Sequence, residues 1–101
     1  MLDTITEQGQ RLVVMMGTRQ AGTRAAVHTH PHAGHSSVIL VAITPLIEGR
    51  APVAVTAVQC YFMPKNRPMV ATNLGTEDAV LIDALVLNPS DPVVIMLEDY
   101  P

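Results

Sequence analysis

The chain has 101 residues, room for one domain and not for two. Hydrophobic residues make up 49% and charged residues 15%, against roughly 25% charged in ordinary soluble domains, so the chain can bury a core and is not a disordered one. Nine acidic residues against six basic ones give a net charge of −3, the bases are scattered and aromatics are 3%, which argues against a nucleic-acid-binding surface.

The first ten residues read as a polar arm or edge strand, and Met1-Leu2-Asp3-Thr4 supplies neither the basic nor the apolar part of a secretory signal. Short runs rich in Val, Ile and Ala follow. They predict strands at Arg11–Met16, Arg24–Thr29, Ser37–Thr44, Pro52–Val58, Cys60–Met63, Pro68–Thr72, Ala79–Leu87 and Val93–Leu97. Turn signals separate them at Gly17, Gly22, His35-Ser36, Glu48-Gly49-Arg50, Pro64-Lys65-Asn66, Asn73-Leu74-Gly75 and Asn88-Pro89-Ser90. Prolines spread from Pro31 to Pro101 leave few windows for a helix. The longest apolar run, Val38–Ile43, is far short of the ~20 residues of a membrane-spanning helix. An all-β sandwich or small barrel is expected, as one domain over residues 1–101. The single Cys60 has no partner for an internal disulfide, which suits a reducing, cytoplasmic setting; it is expected as a buried apolar residue and not as a nucleophile.

All four histidines fall in one short stretch, Val27-His28-Thr29-His30-Pro31-His32-Ala33-Gly34-His35. Side chains alternate along a strand, so His28 and His30 share a face and can place two imidazoles on one ion. Pro31 ends the regular strand, and the loop to Gly34 lets His35 return as a third ligand. Imidazoles suit zinc, copper, nickel or iron better than magnesium or calcium. The plainer alternative is a polar loop with solvated histidines.

This spacing resembles the cupins. Their first motif is a glycine, five residues, His-x-His, three or four residues, a glutamate, six residues and a glycine. Taken with four residues, it matches Gly22, His28-Thr29-His30, His35 in the glutamate's place and Ala42 in the closing glycine's. The second motif is a glycine, five residues, Pro-x-Gly, two residues, a histidine, three residues and an asparagine. It falls on Val58, Pro64-Lys65-Asn66, Met69 and Asn73, with both glycines and the histidine replaced. The motif-like segments are residues 22–42 and 58–73.

The resemblance implies a double-stranded β-helix, or jelly-roll barrel, with a transition metal inside. Carried over residue by residue, it makes His28 and His30 the first ligands and His35 a third; at the fourth position, Met69, either water or substrate takes the place, or copper recruits the thioether, or the site is degenerate, with a methionine filling the core as the plainer reading. His32, one residue off the ligand face, belongs at the loop surface or behind the ligands. Asp83 could face into or out of the barrel, outward being the commoner place for an aspartate. Asn66 and Arg67 could line the mouth or simply make the turn. No catalytic residue is assigned, and whether the protein is an enzyme is open.

Two segments, Val38–Ile43 and Pro52–Val58, are apolar without alternation. A barrel interior covers one face of a strand, so the other requires a partner. A homodimer or larger assembly is expected, with an interface near Val41, Ile43, Val53 and Val55, formed naturally or by redesign of the surface. The second reading of the chain is accordingly a structural building block without catalysis. Neither nucleic acid nor membrane is an expected partner.

Overall fold

Alternation along the long strands decides where the core lies. In the computed structural model, which describes residues 2–24 and 26–97, the strand Ala79–Leu87 buries Ala79, Leu81, Leu85 and Leu87, keeps half-buried Asp83 on the same face, and turns Val80, Ile82, Ala84 and Val86 to the other. Its neighbours obey the same parity: Val13 lies opposite Leu85, and Ser36 and Val38 lie opposite Asp83 and Leu81. One face of this sheet is therefore apolar and covered, and the other is open.

Among the described residues there is no helix. The strands are β1 (Leu2–Ile5), β2 (Arg11–Arg19), β3 (His28–Thr29), β4 (Gly34–Leu40), β5 (Ala42–Ile47), β6 (Val55–Thr56), β7 (Cys60–Met63), β8 (Met69–Thr72), β9 (Ala79–Leu87) and β10 (Ile95–Met96). They form two antiparallel five-stranded sheets, ordered β1-β2-β9-β4-β7 and β10-β3-β8-β5-β6. Two apolar clusters join the sheets. One contains Val13, Met63, Leu85 and Leu87 from the first sheet with Ile47 and Met69 from the second. The other joins Val38, Ala79 and Leu81 to Ile43.

Several elements differ from their sequence expectation. The run Ser37–Thr44 is two strands: the ladder slips between Val38 and Leu40, and Val41 takes a left-handed backbone with φ of 70°. That break explains the unalternating run, because β4 and β5 belong to different sheets. It also divides the expected interface patch. Ile43 is wholly buried and unavailable to a partner, Val55 packs against the same cluster, and only Val41 and Val53 are exposed. Pro52–Val58 is mostly irregular, with β6 its only strand, and Arg24–Thr29 narrows to β3 plus one bridge from Arg24 to Thr72. Cys60 is exposed, not buried, because it lies opposite Ser37 on the open side of the first sheet.

Asn73 fastens the connections. It is almost fully buried, and its Nδ2 donates to the carbonyls of Arg19 (3.0 Å) and Glu77 (2.7 Å) while its Oδ1 accepts from the Gly75 amide (3.0 Å). The backbone of Asn73 also bonds Gly22 and Thr23, tying the loop before the histidines to the loop after β8.

Candidate metal centre

The two sheets enclose a cavity of about 280 Å³. His28 and His30 reach it from β3 and the residue just beyond, and Met69 reaches it from β8, directly opposite His28 in the ladder. Met15, Met63, Tyr61 and Asp83 line it from the opposite sheet.

The two imidazoles are held in one orientation. His28 Nδ1 lies 2.8 Å from the Ala26 carbonyl oxygen and His30 Nδ1 lies 2.8 Å from that of Val93. A carbonyl can only accept, so each Nδ1 carries the proton and donates it, and the lone pair of each neutral ring sits on Nε2. A carbonyl fixing the far nitrogen is the arrangement that orients metal-binding histidines. The rings meet edge to face, with centroids 4.9 Å apart and planes at 87°. Burial pushes His30 below the usual histidine pKa, and neighbouring His28 adds to this, against the opposing effects of the Val93 bond and Asp83. The neutral form is the one able to bind a metal.

The structure does not bring His35 to this pair. β4 starts at Gly34, so Gly34, Ser36 and Val38 face inward and His35 faces out, exposed between Ala84 and Phe62. Among the described residues no group of three His, Cys, Asp or Glu side chains is placed to hold a metal. The motif must accordingly be read with three residues after His30, not four. Its acidic position is then Gly34 and its closing glycine Val41, which has the left-handed backbone a glycine would favour. Gly22 (φ 71°), Val58 (φ 69°) and Asn66 (φ 58°) hold the same conformation at the other glycine positions of the two motifs.

This register tests the family's donor set against the residues present. A Cβ on Gly34 would lie 2.5 Å from the Ala84 carbonyl oxygen and 2.8 Å from Leu85 Cγ, so this site has neither a carboxylate nor room for one. Met69 stands in the histidine's place. Three histidines and a glutamate are not present; two histidines and a methionine stand at these positions.

His32 is half-buried and is not among the residues lining the cavity. Its Nε2 is 2.6 Å from Asp91 Oδ2, and that bond holds the Asp91 carboxyl below its usual range. The link ties the histidine loop to the segment whose Val93 carbonyl orients His30. Asn66 is a turn residue whose amide donates to the His30 carbonyl (2.7 Å). Neither Asn66 nor Arg67 lines the cavity. Asp83 does line it, half-buried, contrary to the outward expectation. Its parity with Leu81 and Leu85 was the available signal. Tyr61 was missed as a cavity residue; burial holds its phenol above the usual value.

No protein-family model and no curated protein matches the sequence. Solved structures do. The DMSP lyase DddQ from Ruegeria pomeroyi DSS-3 superposes with a TM-score of 0.78 at 15% identity, over 99% of this chain and 52% of that one. An RmlC-like cupin family protein with a double-stranded β-helix fold, from Methanocaldococcus jannaschii, gives 0.67 at 15% identity, over 79% of this chain and 72% of that one. An oxalate oxidase gives 0.73 at 15% identity, over 89% and 47%. The chain thus spans about half the length of the lyase and of the oxidase. It has the cupin fold, the double-stranded β-helix.

Proposed function

We propose that this protein is a metal-binding cupin-fold barrel in which His28 and His30 hold a transition-metal ion beside a small-molecule cavity. The observation that carries the reading is the matched pair of imidazoles. Both have Nδ1 committed to a backbone carbonyl, and both line the same cavity, leaving two Nε2 lone pairs to the interior. Solvated loop histidines would have no reason to be fixed twice in this way. Asp83 and Tyr61 place an acid–base group and a hydroxyl on the same cavity, so it can bind a polar ligand as well as an ion. Two of the similar structures are enzymes by name, a lyase and an oxidase; the reaction here is unassigned.

The reading includes self-association through the open face of the first sheet. A row of paired residues crosses all five strands of that sheet, Leu2, Val14, Ala84, His35 and Phe62, and four of the five are apolar. Met16 and Val86 extend it as exposed apolar side chains. A second copy of the chain would cover this face.

Elemental analysis of the purified protein, beside the His28→Ala/His30→Ala double variant, tests the metal reading. About one equivalent of a transition metal per chain is expected in the first and none in the second. Equal metal content in the two, with circular dichroism unchanged, would place the ligands elsewhere.

A further inference from the structure

We infer that the ion this cavity selects is monovalent copper, held by Nε2 of His28, Nε2 of His30 and the Met69 thioether. The inference rests on the metal reading above and adds the identity and charge of the ion.

The donors are the first reason. Met69 is buried and lies opposite His28 in the β3–β8 ladder, where directly paired side chains have Cβ atoms about 4.5–5.5 Å apart. His28 and His30 are in ring contact. The three donor side chains are thus consecutive neighbours on one wall of the cavity. Met15 and Met63 bring two further thioethers from the opposite sheet. Thioether sulfur is a soft donor, which selects Cu(I) and adds little to a site for a hard or borderline dication.

Charge is the second reason. All three donors are neutral. Among the described residues Asp83 is the one carboxylate lining the cavity, and Arg19 also borders it. The position that would have supplied a carboxylate ligand is Gly34, closed by Leu85 and the Ala84 carbonyl. A dication would meet neutral ligands, one carboxylate and one guanidinium. Asp83 and Arg19 offset each other, so a dication would leave two unbalanced charges and a monocation one, and unbalanced charge in a partly buried site is costly. Three-coordinate binding also suits a cavity whose fourth ligand position has been removed.

The test uses a Cys60→Ser background, because the exposed Cys60 sulfur would itself capture copper. Under anaerobic conditions, Cu(I) is titrated against a chromogenic Cu(I) chelator, and Zn(II) and Co(II) are titrated in parallel. One Cu(I) per chain is expected, with a sulfur scatterer beside nitrogen scatterers in the X-ray absorption spectrum. Met69→Leu, a nearly volume-conserving change, should weaken Cu(I) by at least the roughly 10–100-fold that loss of an outer-shell partner costs a metal site. It should leave Zn(II) within about twofold, since zinc takes its ligands from nitrogen, oxygen and thiolate. Met69→His should reverse the preference towards Zn(II). Cu(I) affinity unchanged by Met69→Leu, or a bound copper with no sulfur scatterer, would remove the thioether from the site. Zn(II) or Co(II) held more tightly than Cu(I) would overturn the inference and leave a transition-metal site. Failure of all three ions to bind above the level of the His28→Ala/His30→Ala variant would overturn both.

Discussion

Val41 and Val58 have φ near +70°, a region that β-branched residues almost never occupy. Placing an L-residue there costs roughly 1–2 kcal/mol. Glycine would relieve that cost but adds back about 0.4–1 kcal/mol through a freer unfolded chain. The balance favours glycine where the side chain packs on nothing. Val58 is 92% exposed and meets that condition; Val41 is 37% exposed and retains some packing. Val58→Gly should therefore stabilise the protein by up to about 1 kcal/mol. Asn66→Gly should gain less, because asparagine tolerates this region. Urea unfolding midpoints at constant slope measure both, and a Val58→Gly variant less stable than the parent would show that the turn is not strained. At this scale the sequence was informative where chemistry is local. Gly22, Pro64 and Asn73 marked real turns, and the histidine pair marked the cavity. It misled at His35, because motif spacing alone could not distinguish three residues from four after His30. Strand parity, which does distinguish them, depends on where β4 begins.

At the scale of elements, β9 crowds β4 at Gly34, where the main-chain oxygen of Ala84 and the side chain of Leu85 occupy the space of a Cβ. Leu85 belongs to the first apolar cluster and is nearly inaccessible, so it has little freedom to withdraw. Gly34→Ala should cost about 1–3 kcal/mol, the usual range for overpacking a closed core. Gly34→Glu, which restores the motif's carboxylate, should cost more and gain no metal affinity. Adding Leu85→Ala should relieve part of the Gly34→Ala strain and leave the part due to the Ala84 carbonyl, a non-additivity readable in a double-mutant cycle. Chemical denaturation of the four proteins checks this, and Gly34→Ala as stable as the parent would mean that β4 and β9 yield freely here. β7 and β9 have the limits expected from pattern and turn residues, whereas β2 runs on through Gly17, read as a turn, to Arg19. Pro52–Val58 was not legible, since its apolar content satisfies any strand template while only Val55–Thr56 finds a partner, in β5. Pairing is a property of the neighbour, and composition does not report it.

At the scale of the molecule, the barrel interior accounts for one face of each sheet and leaves the apolar row from Leu2 to Phe62 open. Sequence alone pointed to a patch holding Val41, Ile43, Val53 and Val55, of which the structure leaves Val41 and Val53 exposed and buries Ile43. It assumed that Val41 and Ile43 share a face, whereas the break between β4 and β5 puts Ile43 in the core. The outward residues of β2, β7 and β9 are the better test. Met16 is 60% exposed and Phe62 54%, so changing either removes little packing within one chain. In a two-fold interface each substitution occurs twice on a self-complementary patch, so charges of one sign are brought against their own copies. A buried charge without a partner is costly as well. Phe62→Glu should therefore convert the wild-type assembly to monomers, and Met16→Glu should do the same if the contact extends to β2. Both variants should retain the wild-type circular dichroism. Light scattering at several concentrations gives the masses. A wild-type chain that is already monomeric, or a folded Phe62→Glu variant of unchanged mass, would remove this face from the assembly. Because His28 and His30 open to the interior, the monomeric variant should bind its metal with the stoichiometry of the parent. Loss of metal together with loss of assembly would mean instead that the second copy completes the site.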